Sequence, residues 1–194
     1  MKKSRCPWNF FDKIYVNYHD KEWGNPIRND QKLFELLILE GAQAGLSWYT
    51  VLKRRKNYIK AFDNMNPELI ACYTERDICR LLNDTRIIRN KLKIISVIKN
   101  ARAYLRIMES SNSFSKWLWN WVDDEPIINF FKTTQEVPVS TPLSEIISRE
   151  LKKLGFSFVG PKIIYAFLQA GGFVNDHLIS CFKHPSFNKK NIYL

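Results

Sequence analysis

The chain contains no apolar run long enough to cross a bilayer, so no membrane span is expected. No basic stretch followed by an apolar core opens it, so a secretory leader is not expected either. Its four cysteines are too scattered to make a disulfide scaffold, and an intracellular, reducing location is the default expectation. No internal repeat is present. Negative charge is also scarce: 19 Asp+Glu stand against 30 Lys+Arg, a formal net charge of +11. What remains is an ordinary globular composition, 45% hydrophobic over 194 residues, enough to bury a real core. We read residues 1–184 as one domain, divisible into two helical lobes, and the polar stretch 185–194 as a C-terminal tail.

The positive charge is uneven. Residues 50–106 hold 14 Lys+Arg against 5 Asp+Glu, so that stretch alone carries +9. Such a field suits a polyanion, most simply the phosphates of nucleic acid. The plainer alternative is a lysine-biased surface of solvated faces.

Two pairs of metal-type ligands lie near opposite ends of the chain: Cys6 with His19, and His177 with Cys181. Thiolate and imidazole are the preferred ligands of tetrahedral zinc. His177 and Cys181 are four apart and would share one face of a short helix over 174–182. One ion held by all four would clamp the two ends of the chain together. Core or surface filling is the competing explanation for each residue taken alone. Cys72 and Cys79, two helical turns apart, suit buried thiols better than ligands. His184 has no evident partner.

The pattern is almost entirely helical. Asp30 can cap a helix beginning at Gln31, and Gly41 and Gly45 bracket a break. Ser47 caps the next helix through Arg55. Asn66-Pro67 opens another, and Thr74-Glu75-Arg76-Asp77 resembles a capping box. From Arg86 to Met108 apolar residues recur at helical spacing, with basic residues on the outer face. Trp117, Trp119 and Trp121 alternate as in a strand, although brevity and flanking helices argue against one; they suit packing rather than a ligand site. Residues 123–140 look like a long loop. Thr141-Pro142 opens a helix through Leu154 that Gly155 stops, and Pro161 opens one ending near Gly171-Gly172.

Between those last two helices lies Leu154-Gly155-Phe156-Ser157-Phe158-Val159-Gly160-Pro161-Lys162. Two glycines around a short apolar turn allow a tight hairpin. They also leave backbone N–H groups free at the start of the second helix, where the dipole favours a phosphate, and Lys162 can add a direct contact. DNA-binding helix-hairpin-helix motifs have this form, and so do ordinary αα-turns.

Taken together, the chain resembles the 3-methyladenine DNA glycosylase I family, within the helix-hairpin-helix glycosylases. The resemblance runs from Cys6 to Cys181. It is carried by Cys6-Pro7-Trp8, by His19-Asp20-Lys21-Glu22-Trp23-Gly24, by Leu39-Glu40-Gly41-Ala42-Gln43-Ala44-Gly45-Leu46-Ser47-Trp48, by the hairpin, and by Val174-Asn175-Asp176-His177. It implies an all-α helix-hairpin-helix glycosylase-like fold, closed by one structural zinc on Cys6, His19, His177 and Cys181. It also implies an enzyme that excises 3-methyladenine from alkylated double-stranded DNA and releases the free base.

A glycosylase must flip its target out of the stack and hold it in a pocket. A cationic methylated base is already a good leaving group, so recognition matters more than acid catalysis. Aromatic faces attract a cationic ring, and a carboxylate can accept from its exocyclic amine. By resemblance, Trp8, Tyr15, Tyr18, Trp23 and Trp48 line the base pocket, and Glu40 is the catalytic carboxylate. Each aromatic alone suits the core as well. Glu40 sits in a Leu-rich, buried stretch where an unpaired carboxylate is costly, and a salt bridge is the bland alternative. Leu46 is the candidate wedge into the duplex; Gly155, Val159, Gly160 and Lys162 are candidate phosphate contacts.

Many superfamily members carry an Asp in a V-D-x-H run after the hairpin. Here Asn175 stands at that position, and no hairpin lysine nucleophile is evident. A monofunctional enzyme without strand cleavage follows. We further expect a cytoplasmic monomer without a membrane partner, associated with the nucleoid when working. The rival reading is a non-catalytic, zinc-stabilised DNA-binding module; a second is a structural zinc protein with no salt-dependent DNA binding.

Overall fold

The computed structural model describes residues 4–8 and 12–187. Most of the expected tail, 188–194, lies outside the described residues. Nine α-helices are present among those described: α1 (Lys13–Lys21), α2 (Asp30–Gln43), α3 (Trp48–Ala61), α4 (Pro67–Ala71), α5 (Glu75–Asn83), α6 (Lys91–Ser111), α7 (Phe114–Trp119), α8 (Pro142–Lys153) and α9 (Pro161–Ala170). The all-α expectation holds, with one addition. Two short strands, β1 (Ile127–Ile128) and β2 (Val174–Asn175), pair in parallel. No described helix is long and apolar enough to cross a membrane.

α2 is the central element. Its residues from Leu33 to Ala42 are all buried, and it packs against α3, α6, α7 and α9. A helix apolar all round must be enclosed by others, and here that enclosure makes one continuous core.

Several boundaries follow side-chain chemistry that periodicity does not reveal. The cap of α2 is Asn29, whose side chain accepts from the Lys32 N–H. Asp30 does not cap its own helix. Its carboxylate accepts from Ser113 Oγ at 2.9 Å and from the Ser115 N–H at 2.6 Å, at the first turn of α7. That contact, with Ser113 as N-cap, makes the tryptophan run helical rather than extended. Trp119 is buried, and its indole N–H donates to the Ile27 carbonyl.

Gly41 lies inside α2 rather than at a break, whereas Ser47 caps α3 as expected. The long helix begins at Lys91, capped by Asn90, five residues later than the apolar pattern suggested. Ile87 is buried from a loop instead, and the Ile88 N–H donates to Tyr58 Oη. The box at Thr74 is present, Asp77 accepting from the Thr74 N–H.

Cys72 lies just past α4 and Cys79 within α5, and both are exposed, which corrects the expectation of buried thiols on one helix face. The expected last helix over 174–182 is absent. Val174 and Asn175 are taken up by the strand pair, and Asn175 Oδ1 then accepts from the His177 N–H, turning the chain. His184 does have partners: it is buried, with Nε2 at 2.9 Å from the Asn129 carbonyl and Nδ1 at 2.7 Å from Ser186 Oγ.

Candidate active site and metal centre

A cavity of about 330 Å³ opens beside α2, between it, α1, the first turn of α3 and α9. Tyr15 and Tyr18 enter it from one face of α1, Trp8 and Trp23 from the segments flanking α1, and Trp48 from the first turn of α3. Glu40 enters from α2. The structure therefore brings all six sequence-selected pocket residues to one space. Trp8 stacks on Tyr15 with ring centroids 5.5 Å apart and meets Trp23 edge-on at 4.7 Å, while Tyr18 and Trp48 lie 5.3 Å apart. Rings held this way cost little further ordering when a planar ligand enters.

Glu40 is 3% exposed. Among the described residues no cation pairs with it. Arg55 on α3 is taken by Glu22 at 2.5 Å and by Glu35 at 3.3 Å, and Lys32 also pairs with Glu35. The salt-bridge alternative is thus not realised. Burial alone pushes the Glu40 carboxyl up to about 8, so near neutrality it keeps its proton. Burial, aided by the nearby Glu40 and Glu22, also raises the Tyr18 hydroxyl well above its ordinary value.

Four polar lining residues escaped the sequence reading: Gln43, Thr134, Gln169 and Asp176. Asp176 is 2% exposed and fully satisfied. It accepts from Tyr165 Oη at 2.5 Å, Gln169 Nε2 at 2.7 Å and Asn129 Nδ2 at 2.7 Å. Tyr165 and Gln169 are four apart on α9 and share a face. A sequence signal existed, since Asp176 adjoins His177 in a run already singled out. No lysine lines the cavity among the described residues.

Beside the cavity, the ligand atoms of Cys6, His19, His177 and Cys181 all lie within 4.8 Å of one another, and all four residues are buried. Cys6 Sγ is 3.6 Å from His177 Nδ1, and Cys181 Sγ is 3.6 Å from His19 Nε2 and 3.5 Å from His177 Nδ1. A tetrahedral ion with sulfur at about 2.3 Å and nitrogen at about 2.05 Å sets a sulfur–nitrogen edge of about 3.6 Å. The other ring nitrogens are engaged as metal-bound imidazoles require. His19 Nδ1 lies 2.8 Å from Asp20, which Arg5 holds in turn, and His177 Nε2 lies 3.1 Å from the Trp23 carbonyl. The Arg5 guanidinium holds the Asp20 carboxyl down at about 2. The proximity of the two sulfurs pushes Cys181 down, helped by His177 and His19, and pushes Cys6 up, helped by burial. Gly24 makes room for the cluster, because a Cβ there would stand 3.0 Å from His177 Nε2 and its φ is +76°. The four residues could hold a metal.

The remaining sequence-selected residues lie outside the cavity. Leu46 projects, 39% exposed, from a turn in which Gly45 has φ +75°. The ammonium of Lys93 underpins that turn, donating to the Ala42 carbonyl at 2.8 Å and the Ala44 carbonyl at 2.6 Å. In the α8–α9 hairpin, Gly160 is the N-cap of α9 and Lys162 is exposed. The Val159 side chain is buried, leaving only its backbone to offer a contact. Ser148 Oγ donates to the Val159 carbonyl, and Asn100 both donates to the Ser157 carbonyl and accepts from the Ser157 N–H.

The architecture is that of a DNA glycosylase. A crystal structure of 3-methyladenine DNA glycosylase I superposes with a TM-score of 0.92 at 48% identity, over 94% of this chain and all of that one. Another, of a variant of that enzyme in complex with 3-methyladenine, gives 0.91 at 35% identity, over 93% of this chain and 97% of that one. A model of the methyladenine glycosylase family matches residues 8–184, and the chain belongs to that family. The Escherichia coli K12 protein DNA-3-methyladenine glycosylase 1 is 46% identical over 181 residues, 93% of this chain and 97% of that protein.

Proposed function

We propose that this protein excises 3-methyladenine from alkylated double-stranded DNA as a monofunctional glycosylase. The observation that carries the reading is a buried, unpaired Glu40 in an aromatic cavity. A neutral base gains little there. A cationic base meets aromatic faces and draws the Glu40 carboxyl into its ionised form, releasing its proton. Ionised Glu40 then accepts from the exocyclic amine of the base. The N-glycosidic bond breaks, its electron pair leaving with the base. Water adds to the sugar carbon and loses a proton.

The absence of a lining lysine among the described residues supports hydrolysis without a Schiff base, so borohydride should trap no covalent complex. The hairpin of Gly155, Val159, Gly160 and Lys162 is read as a phosphate grip and Leu46 as the wedge. The Cys2His2 cluster is read as a structural zinc site, on donor chemistry and edge lengths. Zinc there would fix the segment carrying Trp8 against the loop carrying Asp176, and would take no part in the chemistry. We read residues 1–184 as one domain that works as a monomer; sedimentation should give a single 23.0 kDa species.

The deciding experiment is chromatography of bases released from methylated DNA. Release of 3-methyladenine, with neutral damaged bases left in place, is expected. No release from folded, metal-loaded protein would leave only a DNA-binding module.

A further inference from the structure

A second hollow, of about 590 Å³, lies on the other side of the Gly45-Leu46-Ser47 turn. The chain passes directly from one to the other: Gln43 and Trp48 line the aromatic cavity, whereas Leu46 and Thr50 line the groove. The turn is therefore a partition. It is also stiff, with Lys93 holding Ala42 and Ala44 on one side and Ser47 capping α3 on the other.

The groove has two chemistries. Leu82, Ile87 and Ile88 make an apolar floor, and Arg54 and Arg89 stand over it with Thr50 and Thr85. Among the described residues neither arginine is paired with a carboxylate, and Arg54 reaches only the Thr50 carbonyl at 3.4 Å. Elsewhere Arg5, Arg28, Arg55, Arg80 and Arg86 are paired with carboxylates, and Arg102 and Arg106 donate to backbone carbonyls. Two unneutralised guanidinium groups over an apolar floor match a nucleotide, with phosphate above and sugar or base below.

Resting on the glycosylase reading, we infer that this groove holds the undamaged strand, opposite the excised base. The damaged strand must cross the mouth of the aromatic cavity, because its flipped nucleotide remains attached to it. α9, which follows the hairpin, supplies Ala166 and Gln169 to the lining of that cavity, so the hairpin and the cavity share an element and fall to the damaged strand. The partition enters the duplex between the two strands. Beyond it only the opposite strand remains to meet Arg54 and Arg89.

The test is binding of an oligonucleotide carrying a tetrahydrofuran abasic analogue, as a single strand and as a duplex, by wild type and by the double variant R54A/R89A. The expected result is roughly a tenfold loss on the duplex, with the log–log salt slope shallower by about 2, and less than about a twofold change on the single strand. R54K/R89K should recover most of the duplex affinity, which a folding defect would not allow. Equal loss on both probes would assign the groove to the damaged strand, and an unchanged duplex affinity would empty it; either overturns the inference. Base release by the wild type is scored separately. Its absence alongside duplex-selective loss would sink the enzyme and keep the groove.

Discussion

Glu40 carries a cost that titration can expose. Its carboxyl stands at about 8 when folded, against an ordinary value of 4.5. Between those values the folded chain keeps a proton that the unfolded chain has lost, so stability falls as pH rises through this window and levels off above it. The full loss is on the order of 5 kcal/mol. The melting temperature should decline from pH 5 to pH 8.5, and Glu40→Gln should flatten that decline; an unchanged slope would acquit Glu40. The same variant should lose roughly a hundredfold in excision rate while keeping its fold and metal content, measured by single-turnover base release. A cationic ligand entering below pH 8 should displace the Glu40 proton, so calorimetry in buffers of different ionisation enthalpy should register proton release. This residue was legible in the sequence because a carboxylate inside a leucine-rich helix demands an explanation. Asp176 had only its place beside His177 to mark it, because the donors that satisfy it come from α9 and from beyond β1.

At the scale of elements, the turn between α2 and α3 shows how the fold sets the site. α2 ends beside the cavity, and its last carbonyls would be orphaned without a donor. Lys93, from α6, meets two of them, and its burial lowers its own pKa. Lys93→Met leaves those carbonyls unpaired and should cost about 1–3 kcal/mol. Hydrogen exchange of the amides from Ala44 to Ser47 should quicken, and exchange in α8 should not. Helix boundaries set by local caps, at Ser47, Asn66-Pro67, Thr141 and Pro161, could be read from sequence. Boundaries set by distant partners could not. The α7 start depends on Asp30, and the missing last helix depends on a two-residue strand pair. His177 and Cys181 were paired for a helical spacing that does not exist, yet the loop after β2 brings their ligand atoms to 3.5 Å.

Over the whole molecule, the cluster of Cys6, His19, His177 and Cys181, which could hold a metal, joins the segment before α1 and α1 itself to the loop after β2. Cys181→Ser or chelation should lower the melting temperature by on the order of 10 °C. The loss should be largest for α1, whose Tyr15 and Tyr18 depend on that join for their place. Retention of full stability in metal-free protein would dismiss the clamp. The cavity is likewise assembled from both ends: Trp8 through Trp48 on one side, Thr134 through Leu178 on the other. On the ribosome, the aromatic half emerges on the order of ten seconds before its opposite wall. Through that interval Glu40 and its surrounding rings face water, or a chaperone. The nascent chain owns the Glu40 carboxylate and its rings but no pocket, and the wall that encloses them arrives only with the last helix and strand.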